Sequence, residues 1–125
     1  MQKAGVALSS ARLLLDADDV EGCLNRSYFA AYDAARAAML ALDDVNGATH
    51  AKTHSALIAS FGLRLVKPGM MTVAAGRILN RLHELRMVAD YREIYIDVPT
   101  ARQALVDAES FVSEVTAWLG RSLQP

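Results

Sequence analysis

The chain has 125 residues, of which 53% are hydrophobic and 22% charged, and its formal net charge is -1. This length predicts one domain over residues 1–125, and the apolar fraction excludes a disordered chain. Alanine, the best helix former, contributes 22 residues, whereas only three prolines occur. Because alanine is depleted in strands, this composition excludes most all-β folds.

Charge and cysteine content exclude further classes. A near-neutral balance argues against a DNA-coating domain, so no DNA partner is expected. Cys23 is the one cysteine, which excludes an internal disulfide and a cysteine zinc site. His50 and His54 lie four residues apart without a third ligand, so we expect no metal and no cofactor. The N-terminus lacks signal-peptide features and no 18-residue apolar run occurs; we expect a cytoplasmic protein with no membrane contact.

Hydrophobic periodicity predicts five helices in chain order: residues 2–17, a second ending at 42, 50–65, 70–90, and a fifth starting near 99–100. Asp18 with Glu21 resembles a capping box for the second helix, and Thr100 with Gln103 for the fifth. Residues 91–98 are predicted to form a loop or a short extended piece. The predicted fold is all-α, an antiparallel four- to five-helix up-and-down bundle.

The second helix carries a stripe of small residues at helical spacing, namely Ala30, Ala34, Ala37 and Ala41. Such a stripe predicts the close approach of another helix, from this chain or from a second subunit.

Arg86 lies beside the apolar stripe of the fourth helix, about 20° from Ala75 and Leu79 at 100° per residue. Asp90 follows four residues later on the same side. An acidic residue at a helix C-terminus is unfavourable with the helix dipole, so local stability does not explain this pair. The pair indicates either a functional site or an arginine whose stem covers the core edge while its head meets Asp90.

Two further features exceed the needs of packing. The second helix aligns polar and aromatic side chains on one side: Asn25, Arg26, Tyr28, Tyr32 and Arg36. These side chains suit a nucleobase or a partner, although half-buried packing tyrosines would give the same pattern.

Residues 64–92 hold six basic and two acidic side chains, a net charge of +4 on an acidic protein. A basic segment of this kind can guide a phosphate, or it can be a solvated helix face.

Three segments resemble motifs of the HEPN-domain family (higher eukaryotes and prokaryotes nucleotide-binding): residues 25–35, 84–91 and 108–112. His50 and Phe61 also fit that resemblance. It implies a four- to five-helix bundle that is commonly a homodimer. Many members of the family are metal-independent ribonucleases, often toxins, and a frequent partner is a small nucleotidyltransferase of the MNT type that acts as antitoxin.

The resemblance also implies a site, with one departure from the family's pattern. The family's nuclease motif is an arginine followed, after four to six residues, by histidine; here Arg86 is followed by Tyr91. A tyrosine with a pKa of about 10 is a poor general base. The implied catalytic residues are Arg86 and Tyr91, and the implied nucleotide- or phosphate-binding residues are Arg86, Asp90, Tyr91, Asn25, Arg26, Tyr28 and Tyr32. Tyr91 and Tyr95 are candidate acceptors of adenylylation.

Three functions therefore remain open. The leading hypothesis is a homodimeric module that binds RNA or a nucleotide, or acts in a toxin–antitoxin pair, and works with a nucleotidyltransferase. The first alternative is an active metal-independent endoribonuclease toxin, in which Arg86 stabilises the phosphorane and Tyr91 or His83 assists proton transfer. The second alternative is a purely structural helical partner protein.

Overall fold

A computed structural model describes residues 1–42, 53–91 and 95–122, and it confirms the predicted helical bundle. The described residues form five α-helices: α1 (Gln2–Asp16), α2 (Val20–Leu42), α3 (His54–Phe61), α4 (Val73–Asp90) and α5 (Val98–Ser122). A π-helical turn, Gly62–Val66, continues α3. Within the described ranges no residue lies in a β-strand, and no helix there is long and apolar enough to cross a membrane.

Helix α2 is the centre of the bundle, because it contacts each of the other four helices. The link from α1 to α2 is only three residues, 17–19, so the two helices pack side by side and run antiparallel. The large buried side chains around α2 include Tyr28, Phe61 and Phe111. The side chains of α2 that face the core are therefore held by neighbours on several sides.

Small residues line the contacts between α1, α2 and α5. Buried alanines recur at spacings of three and four on α1 and on α5, and α2 contributes a broader set between them; they are Ala4, Ala7, Ala11, Ala30, Ala31, Ala34, Ala35, Ala38, Ala101, Ala104 and Ala108. We call this set the alanine seam. The four-residue stripe predicted on α2 is only half right, because Ala41 is exposed and Ala37 is partly buried. Since α2 is covered by helices on more than one side, its buried alanines form a wide face.

The N-terminus of α2 is capped one residue later than the sequence predicts. Asp19 Oδ1 accepts a hydrogen bond from the Gly22 backbone N–H at 2.8 Å, which makes Asp19 the capping residue. Asp18 instead adopts a left-handed conformation with φ of 62° and turns the chain. Gly22 accommodates the cap, because a Cβ there would lie 2.6 Å from Asp19 Oδ2.

The cap of α5 also differs from the prediction. Asp97 Oδ1 accepts from the Thr100 backbone N–H at 2.9 Å, and the helix begins at Val98, one residue before Pro99. Hydrogen bonds from the side chain and the backbone N–H of Thr100 hold the pKa of Asp97 below its ordinary value. Gln103 does not complete a capping box; its Nε2 donates to Asp107 Oδ1 within the helix.

A threonine caps each of the helices α3 and α4, and α4 begins later than predicted. Thr53 Oγ1 accepts from the Ala56 backbone N–H, and α3 follows at His54. The predicted start at His50 lies outside the described residues. Thr72 Oγ1 accepts from the Ala75 backbone N–H, so α4 starts at Val73 and not at Met70.

Candidate functional site

A buried tyrosine on α2 lies at the centre of the candidate site. The ring of Tyr28 is inaccessible to solvent, and its hydroxyl lies 2.7 Å from Nδ1 of His54 at the start of α3. A buried phenol needs such a partner, because an unpaired hydroxyl in the core would be costly. Burial raises the pKa of Tyr28, so the phenol stays neutral. The sequence leaves open whether Tyr28 binds a nucleobase or a partner, or is a half-buried packing residue with its hydroxyl at the surface; the structure places it fully in the core.

Two histidines from different helices lie near this ring. The centroids of His54 and of His83, on α4, are each 5.6 Å from the Tyr28 centroid, in stacked orientations. Tyr32, one turn after Tyr28, stacks on His54 with centroids 4.0 Å apart. We call Tyr28, Phe29, Tyr32, His54 and His83 the ring cluster.

The surroundings of His54 disfavour its protonation. Burial lowers the pKa of His54 from its ordinary value, and the positive charge of Arg86 and the neighbouring His83 lower the pKa further. The carboxylate of Asp33 acts in the opposite direction. His54 is therefore mainly neutral near pH 7, with its Nδ1 engaged by Tyr28.

Arg86 is held by the rings more than by Asp90. Its guanidinium carbon lies 4.8 Å from the Phe29 ring centroid and 5.3 Å from that of Tyr28. The distance from Nε to Asp90 Oδ2 is 3.9 Å, beyond hydrogen-bonding range, and the side chain is 26% exposed. Within the described part of the chain, this buried Nε has no hydrogen-bond partner. The arginine is thus positioned by aromatic contacts and keeps unused hydrogen-bonding capacity.

A second arginine lies on the same ring. The guanidinium carbon of Arg26 is 4.9 Å from the Phe29 centroid. Asn25 Oδ1 accepts hydrogen bonds from Arg26 at 2.9 and 3.2 Å, which fixes that guanidinium group. Phe29 therefore contacts both Arg26 and Arg86. The structure brings together these predicted residues around an aromatic side chain that the sequence does not single out.

A pocket of about 320 Å³ next to Arg86 lies between the start of α2 and the end of α4. Its lining includes Asn25 and Arg86 together with three carboxylates, those of Asp19, Glu21 and Asp90. One guanidinium among three acidic groups does not favour an anion.

The remaining predicted residues are exposed. Tyr91 follows the last residue of α4, its backbone N–H bonds to carbonyls of that helix, and the residue is 70% exposed. Tyr95, in the segment before α5, is 83% exposed. Arg36 is exposed on α2. Among the described residues, no group of three or more histidine, cysteine or acidic side chains is arranged to hold a metal ion.

His54 is the site residue that the sequence does not reveal. Taken with His50, it shows only the four-residue spacing of a weak metal pair. The available clue is Tyr28, because a tyrosine on a core face must find a hydrogen-bond partner. That partner lies 26 residues away on another helix, and helical periodicity cannot identify it.

Known proteins resemble this chain along most of its length. The chain is 31% identical over 111 residues to a Methanocaldococcus jannaschii protein named "Putative toxin MJ0605", and the match covers 86% of this chain and 77% of that protein. It is 34% identical over 91 residues to a UPF0332 protein of Gloeobacter violaceus, covering 73% and 68%. A UPF0332 protein of Thermotoga maritima is 29% identical over 115 residues, covering 91% and 83%.

No solved structure matches the chain significantly. The family model described as "HEPN domain" matches residues 1–118, which is nearly the whole chain. Together with the relatives, this match confirms the resemblance first seen in the motifs. The chain belongs to the HEPN-domain family.

Proposed function

We propose that this protein is the HEPN component of a toxin–antitoxin module. In this proposal it acts as a homodimer, binds phosphate groups of RNA or of a nucleotide through Arg86, and works with a small nucleotidyltransferase of the MNT type. Membership of the family and the toxin name of one relative support the general class. The phosphate-binding role is supported by the site itself.

The observation that carries the proposal is the state of Arg86. Its guanidinium group lies on two aromatic rings. Its Nε is 3.9 Å from Asp90 Oδ2, which is too far for a hydrogen bond, and has no other hydrogen-bond partner in the described chain. The side chain is 26% exposed and the rings hold it in place, so the accessible part of the guanidinium group is already oriented and can donate to a phosphate oxygen. Arg26 on the same ring adds a second positive charge.

The test is the affinity of the protein for RNA that it cannot cleave. Fluorescence anisotropy with a labelled 2′-O-methyl RNA measures binding, and Arg86→Ala should weaken it by about 10- to 100-fold, the range expected when a hydrogen bond to a charged group is lost. Arg77→Ala is the matched control. Arg77 is exposed and lies nine residues earlier, on the opposite side of α4, and its replacement by alanine removes the same charge.

Equal weakening by both substitutions would mean that general charge, and not the site, holds the RNA. Absence of binding by the wild-type protein to RNA and to ATP would refute the phosphate-binding role. Sedimentation velocity at micromolar concentration tests the homodimer, which a clean monomer would contradict.

The nucleotidyltransferase partnership is tested separately. Co-expression with a small MNT-type enzyme and labelled ATP should place AMP on an exposed tyrosine, and Tyr91 and Tyr95 are the candidates because both are largely exposed. Mass spectrometry of the Tyr91→Phe and Tyr95→Phe variants identifies the acceptor. Label that remains in the double variant would exclude both residues.

The ribonuclease alternative gains support from the ring cluster. The missing histidine of the nuclease motif left the sequence without an obvious proton-transfer group. His54 and His83 both lie on the ring that Arg86 contacts. A purely structural role, in contrast, predicts that Arg86→Ala changes stability and leaves all binding intact.

A further inference from the structure

We infer that His54 is the general base of a metal-independent RNA cleavage reaction at this site, replacing the histidine that the nuclease motif lacks. The inference rests on the proposed binding of an RNA phosphate by Arg86. His54 comes from α3, a different helix from Arg86, so no linear motif contains the two residues. The contacts within the ring cluster carry the assignment.

The first argument is the hydrogen bond between Tyr28 and His54. The two atoms, Tyr28 Oη and His54 Nδ1, are 2.7 Å apart. A general base is commonly held by a third group on its second nitrogen, which fixes the orientation of the ring. Tyr28 is fully buried and cannot move without disturbing the core. The other nitrogen, Nε2, has no hydrogen bond to any residue that the structure describes.

The second argument is the position of His54 relative to Arg86. Both side chains contact the same two rings: His54 has centroid distances of 5.6 Å to Tyr28 and 5.8 Å to Phe29, and the guanidinium carbon of Arg86 lies 5.3 and 4.8 Å from them. Arg86 is also close enough for its positive charge to lower the pKa of His54, so a phosphodiester bound by Arg86 would lie in the neighbourhood of His54. His54 is also only partly buried, so substrate can reach it.

The third argument is the contrast with the other candidates. Tyr91 is 70% exposed just past the end of α4, and a tyrosine side chain is in general a poorer base near neutral pH than a histidine. His83 stacks near the Tyr28 ring, but no hydrogen bond to the described residues orients it as Tyr28 orients His54. Of these three candidates, His54 is the one that combines an oriented ring, partial exposure and proximity to the arginine.

The step is an in-line transesterification. In the tautomer of His54 that carries its proton on Nδ1, Nδ1–H donates to Tyr28 Oη, and the free Nε2 takes the proton of the ribose 2′-hydroxyl. The bond from the 2′-oxygen to phosphorus forms as the bond from phosphorus to the 5′-oxygen breaks; the 5′-oxygen leaves with the electron pair and takes a proton from water. The products are a 2′,3′-cyclic phosphate and a 5′-hydroxyl end. Arg86 stabilises the negative charge that develops on the phosphoryl oxygens.

The base must be neutral, so activity depends on the groups that face His54. These are Tyr28, Tyr32 and Asp33 on α2 and His83 and Arg86 on α4. Arg86 and His83 disfavour the charged imidazole, and Asp33 favours it. We expect the cleavage rate to rise with pH, with a midpoint below 6.5, and then to reach a plateau.

The experiment measures cleavage and binding on the same full-length protein in EDTA. A labelled RNA reports cleavage and the chemistry of its ends, and the 2′-O-methyl RNA of the same sequence reports binding. The variants are His54→Asn, whose amide can still hydrogen-bond to Tyr28, and His83→Asn. We expect His54→Asn to cleave 10²- to 10⁴-fold more slowly, with binding within about two-fold of wild type.

Each other outcome overturns the assignment. Cleavage by His54→Asn at the wild-type rate excludes His54 as the base, and loss of cleavage in His83→Asn alone transfers the role to His83. A wild-type protein that binds the RNA but does not cleave it refutes the inference and leaves the proposed function standing. A wild-type protein that does not bind refutes both. Circular dichroism melting checks folding; if His54→Asn does not fold, His54→Gln and the wild-type pH profile decide.

Discussion

The hydrogen bond between Tyr28 and His54 should contribute measurably to stability. Tyr28→Phe removes the hydroxyl and keeps the ring and its contacts with Phe29 and His83. A hydrogen bond of this kind contributes about 0.5–1.5 kcal/mol net. His54 is only partly buried, so water can replace some of the loss, and we expect a decrease of about 1 kcal/mol in the free energy of unfolding. For a domain of this size that corresponds to a Tm lower by roughly 3–5 °C.

The assay is urea unfolding at pH 7 followed by circular dichroism, with Tyr32→Phe as the matched control. Tyr32 also stacks on His54 and also loses a hydroxyl, but its hydroxyl has no hydrogen bond to the described residues. Tyr32→Phe should change stability by less than about 0.5 kcal/mol. Equal stability of the two variants would refute the reasoning. A double-mutant cycle with His54→Ala, which removes the hydrogen-bond partner of Tyr28, separates the pair from other effects, and zero coupling would have the same consequence.

Three further predictions concern pH dependence and helix termini. Burial and Arg86 lower the pKa of folded His54, so the unfolded state binds more protons. The free energy of unfolding should therefore be unaffected by His54 above about pH 6.5 and should fall as the pH decreases below it. Urea denaturation between pH 5 and 8 should show a weaker dependence of this free energy on pH in His54→Asn. Thr72→Ala removes the cap of α4 and the hydrogen bond from its hydroxyl to Glu114 Oε1, so unfolding should become easier by about 1–2 kcal/mol, whereas Thr72→Ser should be near wild type in the same urea titration. Asp18→Gly relieves the left-handed conformation and should raise the Tm slightly in calorimetry; a decrease would mean that the aspartate side chain stabilises the turn.

The helices were predictable because their apolar residues recur at helical spacing over long stretches. Thr72 and Asp97 show why the starts were less predictable: Met70 and Pro99 fit the composition of a first turn, and only the direction of a side chain towards a backbone N–H decides which residue caps. At the start of α2, two consecutive aspartates made both positions plausible. The left-handed backbone of Asp18 decides in favour of Asp19.

The site was predictable where one helix contains the signal. Arg86 was identified because a charged residue beside an apolar stripe is unusual within its own helix. His54 was not identified, because its importance lies in contacts with Tyr28 and Tyr32, which belong to another helix. Phe29 was missed for a related reason: a phenylalanine near the core looks like ordinary packing until two guanidinium groups are found against its ring.

The alanine seam has a consequence for how a ligand would be recognised. Alanine has no side-chain rotamers, so the contacts that position α2 have no alternative packing to adopt. Tyr28 and Phe29 project from the same helix and therefore have a rigid support. A ligand does not have to order this surface when it binds, and it avoids the entropic cost of doing so. We expect a preorganised site that selects a ligand by shape, with little change of backbone conformation between the free and bound protein.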